Sequence, residues 1–478
     1  MAEDLAKALA ASRKGYVVAA AGCGKTHLIA QATACCDRRQ LILTHTHAGV
    51  RAILNHLRRQ QVSPSLFKVA TIHGFALKYA SAFPILAEWK IQRPLAEEWH
   101  EVPPAAQRTL TRSCIRRVLQ TSYAGVFVDE YQDCTIEQHA LISALAEILP
   151  CRALGDPLQS IFWELNGERS LPWFAVEKSF EIVGELTTPH RWLPHNPRLG
   201  EWLLFVRRRL ITGESIDLRD SPARWGQASD RPAQLALCKS ALCNDGETIV
   251  GVRKWRSQCH GLSRYLKNQY RTLEDVECKE LMDWASLLES AKGDERVNQV
   301  IAFVKKWTAC LPDWIERTGN AAISGKARNF EEWEDERKRF FEALTILKAN
   351  DDLKCIGTVL DCIDNLSGKP VYVSREIWVE MKKSLRSSGG AGDTSLSATA
   401  WKIRDSARRH GRYVPKRCIS TTLLVKGLEF DHALVLEAQD FQDAENLYVA
   451  LTRGAKSLAV LSRNPLLKRP LPHFNLVP

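Results

Sequence analysis

The chain has 478 residues, of which 45% are hydrophobic and 25% charged, a composition typical of soluble globular proteins with about two to four domains. No apolar run reaches the roughly 18 residues that a membrane span needs, and the acidic start at Met1–Asp4 does not have the order of a signal peptide. We therefore expect a cytoplasmic protein with no membrane partner, in which the 14 cysteines are reduced thiols. The net charge of +11 weakly favours a polyanionic partner.

Short apolar runs that end in polar or glycine-rich turns recur through the first half of the chain. They predict strands at Tyr16–Ala20, Leu41–Leu43, Gly125–Val128 and Ala153–Leu154, with a helix over Lys25–Cys36. Buried strands that alternate with helices are typical of a parallel α/β sheet. Polar residues follow the carboxyl ends of these strands, which is where such sheets bind ligands.

The strand pattern returns in the second half of the chain, at Thr248–Val252, His432–Glu437 and Ser457–Leu461. Between the first two of these strands, tryptophan, glutamate, lysine and leucine recur at helical spacing. This region, about residues 256–416, is predicted to be a mostly helical insertion in a second α/β domain.

A glycine-containing segment, AAAGCGKT at residues 19–26, follows a predicted strand and opens a predicted helix. In this context backbone N–H groups and the helix N-terminus face phosphates. Lys25 is expected to reach the β- and γ-phosphates of ATP, and Thr26 to ligate Mg²⁺. We predict nucleotide-binding roles for six consecutive residues: Gly22, Cys23, Gly24, Lys25, Thr26 and His27.

An acidic run, DEYQD at residues 129–133, follows the predicted strand Gly125–Val128. Asp129 is placed to hold Mg²⁺ through water, and Glu130 to orient and deprotonate an attacking water. Acidic loops are common, but one that follows a phosphate-binding loop indicates a hydrolysis site. The two motifs together predict an ATPase that uses ATP and Mg²⁺.

Eight segments, in the same order, resemble the motifs of superfamily 1 helicases of the UvrD/Rep type. Beside the phosphate-binding loop, they lie at Leu43–Ala48, Ala70–Phe75, Asp129–Asp133, Gly155–Phe162, Leu186–Arg191, Val425–Asp431 and Tyr448–Arg453. The resemblance implies an α/β fold of two RecA-like P-loop NTPase domains, with a reduced insertion in the first and a mostly helical insertion in the second. The implied boundaries are 1–75 and 123–180 for the first domain, 76–122 for its insertion, 181–255 and 417–478 for the second domain, and 256–416 for its insertion.

The resemblance also implies roles at the nucleotide. Gln159 is expected to sense the γ-phosphate, and Arg191 and Arg453 to contact it from the second domain. Cationic donors stabilise charge on the transferred phosphoryl group, and donors on another domain tie hydrolysis to closure of the cleft. Glu429 is expected at the ribose, and His190 stands at the base where the family has a tyrosine.

DNA, single-stranded or as a tailed duplex, is the partner that the resemblance implies, through backbone contacts and base stacking. The candidate contacts are Thr46, His73, Phe75, Phe162 and Trp163. For the last two residues, core packing is an equally good interpretation. No glutamine precedes the phosphate-binding loop, and His45 replaces a phenylalanine of the family, so positions that handle bases depart from the family more than those that handle phosphates.

The implied activity is a DNA-stimulated ATPase that translocates 3′ to 5′ or unwinds DNA. Only 53 residues, Ala76–Val128, separate the motif-like segment that ends at Phe75 from the acidic run that begins at Asp129. Another 25 residues follow Arg453. This compact architecture is similar to that of the helicase-like subunit of the Gabija anti-phage system, which implies a nuclease partner of the OLD family. The alternative is a nucleotide-sensing regulatory ATPase subunit with little or no unwinding activity.

Overall fold

The computed structural model describes residues 2–91, 94, 96–163, 170–227, 230–241, 244, 246–266, 269–273, 278–309, 311–368, 370–388, 395–410, 414–468 and 472–473. The chain divides into two compact units, one formed by 1–273 with 413–478 and the other by 274–412. The helical unit is therefore shorter than the predicted insertion 256–416. The reason is that helix Arg256–Tyr265 packs its apolar residues Cys259 and Leu262 against Ile249 and Ile419 of the larger unit.

Six parallel strands form the first sheet of the larger unit. Their spatial order is Phe67–Thr71, Gln40–Thr44, Gly125–Val128, Cys151–Gly155, Lys14–Ala19 and Glu181–Leu186. The four inner strands were predicted from their apolar runs and are confirmed. The last strand corrects the boundary predicted at 180/181, because Glu181–Leu186 pairs with Lys14–Ala19 and so belongs to the first sheet.

Helices cover both faces of this sheet, because its inner strands are apolar on both faces. Tyr16, Leu41 and Val126 pack into the core on one face, whereas Val17 and Ile42 pack into the core on the other, as the period of two in a strand requires. The helices are Ala2–Ala11, Lys25–Ala34, His47–Arg59, Ile72–Ala82, Pro84–Ala87, Val102–Leu110, Ser113–Ser122, Ile136–Ala146 and Trp173–Ser179. We call this sheet with its helices the first lobe.

The second sheet of the larger unit also consists of six parallel strands. Their order is Arg271–Thr272, Arg417–Thr421, Ile249–Arg253, Phe430–Val435, Gly454–Ser462 and Arg224–Gln227. Its helices are Pro197–Ile211, Arg231–Ser240, Arg256–Tyr265, Thr422–Val425 and Ala444–Leu451, and a small antiparallel pair joins Ile216–Asp217 to Leu466–Leu467. We call this part the second lobe. Two parallel sheets with flanking helices confirm the predicted α/β fold of two RecA-like domains.

The smaller unit, 274–412, is mostly helical, as predicted. Its core is apolar and includes Phe303 stacked on Trp378, with ring centroids 5.7 Å apart. The helices are Cys278–Ser290, Gly293–Trp307, Trp314–Ser324, Asp335–Ala349, Lys354–Asp364, Arg375–Ser387 and Leu396–His410, with the strand pair Thr308–Ala309 and Val371–Tyr372. Over the described residues of the whole chain, every helix is too short or too polar to cross a membrane.

Candidate active site

The predicted phosphate-binding loop connects the first strand to the helix that begins at Lys25. Gly22 and Gly24 have φ angles of 68° and 90°, in the left-handed region that favours glycine. A Cβ atom on Gly22 would lie 2.6 Å from the ring of Trp192, so no larger residue fits there. The loop thus has the conformation and the close packing that a phosphate cradle requires.

Lys25 lies in the cleft with only 8% of its side chain exposed. Its Nζ is 3.6 Å from Oε1 of Glu130 and donates a hydrogen bond to the carbonyl of Ala19 at 3.4 Å. Burial disfavours the ammonium, but the charges of Glu130, Asp156 and Asp129 outweigh it and raise the pKa of Lys25. The side chain is therefore a fixed positive charge at the loop.

Asp129 and Glu130 follow the strand Gly125–Val128, as predicted, and Glu130 has a left-handed φ of 55°. Burial, and next the charge of Glu130, raise the pKa of Asp129 to about 7. Burial has the same effect on Glu130, but Lys25 and Lys426 outweigh it and lower the pKa of Glu130 to about 2. A buried carboxyl group, Asp129, beside a partly buried one, Glu130, fits a divalent cation, which would relieve the repulsion between their charges.

The residues after strand Cys151–Gly155 connect to this acidic pair. Asp156 is fully buried and accepts a hydrogen bond from Nε2 of Gln159 at 2.8 Å. The backbone N–H of Asp156 donates to Oε1 of Gln132 at 3.0 Å, and Nε2 of Gln132 donates to Glu130. Gln159 is thus brought within the same hydrogen-bond network as the predicted catalytic carboxylate.

Arg191 extends from the second lobe to the loop. Its backbone N–H donates to the carbonyl of Gly22 at 3.1 Å, and its Nη1 donates to the carbonyl of Thr452 at 2.9 Å. Its Nη2 donates to Glu429, while its buried Nε has no partner within the described residues. The structure therefore places Arg191 beside the phosphate-binding loop, and the pairing of Glu429 with it puts that carboxylate at the same edge.

Arg453 is 1% exposed and its donors point into its own lobe. They reach the carbonyls of Val449 at 2.8 Å and Leu428 at 3.1 Å and the hydroxyl of Thr452 at 2.9 Å. Burial, and next the charge of Arg191, lower the pKa of Arg453 to about 9. In this conformation Arg453 holds the second lobe together, and its contact with the γ-phosphate stays a prediction.

His27 and His190 border the loop on its outer side. A Cβ atom on Gly24 would lie 3.5 Å from Cδ2 of His190. His27 is exposed, and its Nδ1 lies 2.9 Å from Nε2 of Gln60. Burial, and next the charge of His190, lower the pKa of His27. The two imidazoles therefore lie near each other at the start of the helix. Their contacts with a nucleotide stay predictions.

Three further residues of the second lobe reach the first, and the sequence did not single them out. The Nζ of Lys426 pairs with Asp133 and donates to the carbonyl of Gln159 at 2.5 Å. The other two are Arg207, whose Nη2 donates to Asp156 at 3.1 Å, and Tyr448, whose hydroxyl accepts from the N–H of Ala21 at 3.2 Å. Lys426 and Tyr448 lie in motif-like segments, so the sequence could have indicated them as candidates. Arg207 lies outside these segments, and nothing in the sequence distinguishes it.

The predicted DNA contacts have mixed environments. Thr46 is exposed, and its hydroxyl caps the helix His47–Arg59 by accepting from the N–H of Gly49 at 3.0 Å. His73 is partly buried against Trp99, with ring centroids 5.5 Å apart. Thr46 follows a predicted strand, whereas His73 follows the strand Phe67–Thr71, which was not predicted. The contact of both residues with DNA stays a prediction.

The aromatic candidates differ in how much of each ring is free. Phe75 is 4% exposed and packs on Tyr79, with ring centroids 4.8 Å apart. The inner face of its helix forms part of the first-lobe core and buries the ring, and its stacking on DNA stays a prediction. Phe162 is partly exposed, with Nζ of Lys426 4.7 Å above its ring, and Trp163 packs edge-on against His473 at 4.0 Å.

Comparisons with known proteins find an AAA domain over the first part of the chain. Residues 3–163 match the AAA_19 family model, described as an AAA domain, and no curated protein matches the sequence. The chain is similar to arterivirus nonstructural protein 10, a helicase, with 14% identity, a TM-score of 0.26 and coverage of 54% of this chain and 52% of that one. It is also similar to a Pif1 helicase from Bacteroides in complex with ADP-AlF3 and ssDNA, with 13% identity, a TM-score of 0.28 and coverage of 54% of each chain.

The chain thus spans about half the length of these two structures. The AAA match contains the phosphate-binding loop, the acidic run and the segment around Gln159. Together with two parallel sheets and a buried lysine at the loop, it defines the class of protein: a P-loop ATPase.

Proposed function

We propose that the chain couples ATP hydrolysis to movement along DNA, as a helicase or translocase of the UvrD type with 3′ to 5′ polarity. The observation that carries the proposal is that the second lobe contacts the loop and the strand ends of the first lobe that carry the predicted ATP-site residues. The contacts join Arg191 to Gly22, Lys426 to Asp133, Arg207 to Asp156 and Tyr448 to Ala21. A change of ligand at these residues alters the contact between lobes, which is the two-state element that a motor needs.

The chain's own groups divide the work of hydrolysis. Backbone N–H groups of the loop and the ammonium of Lys25 bind the phosphates, and Thr26 with Asp129 holds Mg²⁺, which supplies charge neutralisation when bound. Glu130, ionised over the whole neutral range, orients the attacking water and accepts its proton. Arg191 stabilises charge that develops on the γ-phosphoryl group.

DNA is the polyanion that this architecture would move. The net charge is +11, and Phe162 offers a partly exposed ring, which suits stacking on a base. Thr46 and His73 add polar groups at neighbouring strand ends. The resemblance in architecture to the Gabija helicase-like subunit supports a further proposal, that the chain acts in anti-phage defence with an OLD-family nuclease.

A second candidate function is a nucleotide-sensing regulatory subunit that hydrolyses ATP with little or no unwinding. The burial of Phe75 favours it, because this residue loses the ring face that base stacking needs. The inter-lobe contacts then transmit nucleotide state to a partner protein rather than to a DNA strand.

Two assays on the full chain test these functions. ATP turnover is measured with and without single-stranded DNA, and strand displacement is measured on duplexes with a 3′ or a 5′ tail. The motor function predicts DNA-stimulated turnover and displacement from the 3′-tailed duplex only. Turnover without displacement on either duplex would favour the regulatory subunit, and co-purification with the products of neighbouring genes tests the nuclease partner.

A further inference from the structure

A buried arginine, Arg207, joins the two lobes. It lies on helix Pro197–Ile211, whose apolar residues, including Leu203 and Val206, pack in the second-lobe core. Its guanidinium reaches the first lobe, where Nη2 donates to Oδ1 of Asp156 at 3.1 Å and Nη1 donates to Oε1 of Glu185 at 3.4 Å. The helix is thus anchored in one lobe while its arginine binds the other.

The ion pair between Arg207 and Asp156 is almost completely shielded from water. The exposed fractions of the two side chains are 8% and 0%. Burial disfavours the guanidinium charge, but Asp156 outweighs it and raises the pKa of Arg207. Tyr448, whose hydroxyl accepts a hydrogen bond from the N–H of Ala21, lies near the pair and also raises the pKa of Arg207. The guanidinium of Arg207 therefore stays charged beside Asp156.

Hydrogen bonds connect Asp156 to residues that are predicted to act on ATP. One oxygen accepts from Arg207, and the other accepts from Nε2 of Gln159 at 2.8 Å. The backbone N–H of Asp156 donates to Gln132 at 3.0 Å, and Gln132 donates to Glu130. A continuous series of hydrogen bonds thus runs from the second lobe to Gln159 and to Glu130.

We propose that Arg207 is a positioning residue that couples the second lobe to ATP hydrolysis, by holding Asp156 and through it Gln159 and Glu130. This inference rests on the proposed ATP hydrolysis in the cleft and names the connection through which lobe position controls it. When the lobes separate, Asp156 loses its charged donor, Arg207. The carboxylate that accepts the hydrogen bond from the amide of Gln159 is then no longer held in place. When they close, the same contacts restore the geometry for attack on the γ-phosphate.

The test compares Arg207→Gln and Arg207→Lys with a matched control, Arg208→Gln, at the exposed neighbouring position. For each full-length variant, kcat and KM for ATP and the Kd of a fluorescent ATP analogue are measured, with thermal unfolding as a check of folding. We expect Arg207→Gln to lower kcat at least about tenfold while the Kd changes less than about threefold, because the donors that bind the phosphates are intact. Arg207→Lys should recover part of kcat, and Arg208→Gln should equal the wild type.

The possible results separate the inference from the function on which it rests. Wild-type kcat in folded Arg207→Gln, with an active wild type, overturns the inference and leaves the proposed function standing. Parallel losses of kcat and analogue affinity also overturn it, because they indicate a structural role only. A wild type without ATP turnover overturns both. If Arg207→Gln does not fold, Arg207→Lys decides by the same criteria, since it keeps the charge but loses the two-pronged donor.

Discussion

The hydroxyl of Tyr448 accepts a hydrogen bond from the backbone N–H of Ala21, at 3.2 Å, although the two residues are 427 positions apart in sequence. Ala21 belongs to the phosphate-binding loop, and Tyr448 lies on helix Ala444–Leu451 of the second lobe. A second-lobe side chain therefore fixes the backbone of the loop where the loop must present its own N–H groups to phosphate. Phosphate binding by the loop then depends on the position of the second lobe.

Replacing Tyr448 with phenylalanine tests this dependence. The substitution keeps the buried ring but leaves the N–H of Ala21 without its acceptor, which costs about 1–3 kcal/mol. We expect a lower Tm and a weaker affinity for a fluorescent ATP analogue, measured by thermal unfolding and by titration. The control is Tyr265→Phe, since Tyr265 is 53% exposed and should tolerate the change. An unchanged analogue affinity in Tyr448→Phe would show that the contact does not shape the loop.

Lys25 and Glu130 are predicted to separate binding from hydrolysis. Lys25→Ala removes the buried ammonium at the loop, so both ATP affinity and turnover should fall. Glu130→Gln keeps the size of the side chain but loses the proton acceptor, so turnover should fall at least about 100-fold with binding retained. Both are measured by steady-state ATPase assays and analogue titration, with the exposed Glu147→Gln as control. Wild-type turnover in either active-site variant would refute the assignment of the site.

The positions of the candidate site residues that come directly after buried strands could be predicted from the sequence. The loop around Lys25 and the pair Asp129 and Glu130 each follow an apolar run, which predicts the end of a strand in a parallel sheet. The strand Glu181–Leu186 was missed because it lies at the edge of the sheet, and its residues are half-buried or exposed and show no apolar run.

Arg207 could not be predicted for a different reason. It stands in a row of three arginines with Arg208 and Arg209, and such a row on a helix normally indicates a solvated basic face. Only the approach of the two lobes distinguishes the buried arginine from its neighbours. Phe75 shows the converse, since its place in a motif-like segment suggested DNA stacking while the helical period directs its ring into the core.

The buried pair of Lys426 and Asp133 should stabilise the contact between the lobes. Their side chains are 6% and 7% exposed, and burial raises the pKa of Asp133 to about 6 even with the lysine present. Lys426→Met leaves a buried carboxylate without its cation, which costs about 3–5 kcal/mol. We expect the double variant Lys426→Met with Asp133→Asn to regain part of this loss in urea unfolding. If the double variant were as unstable as the sum of the single changes, the pair would not be coupled.

His45 is predicted to make the larger unit sensitive to mild acid. Its Nε2 lies 3.6 Å from Sγ of Cys134, and burial, followed by the charges of His73 and Lys426, lowers the pKa of His45 to about 3. In the unfolded chain a histidine has a pKa of about 6.5. Below that value His45 is protonated in the unfolded chain but stays neutral in the folded protein until the pH approaches 3. The free energy of unfolding therefore decreases as the pH falls from 6.5 towards 3. At pH 5 this loss amounts to at most about 2 kcal/mol.

The variants His45→Phe and His45→Gln remove the titrating group while filling similar space. Between pH 7.5 and pH 5.0, the free energy of unfolding of the wild type should fall further than that of either variant, by up to about 2 kcal/mol. Urea unfolding at the two pH values measures the difference directly. Because phenylalanine and glutamine differ in polarity, an equal effect in both variants assigns it to the lost proton rather than to repacking. Parallel pH dependence in the wild type and both variants would mean that His45 titrates alike in the folded and unfolded states.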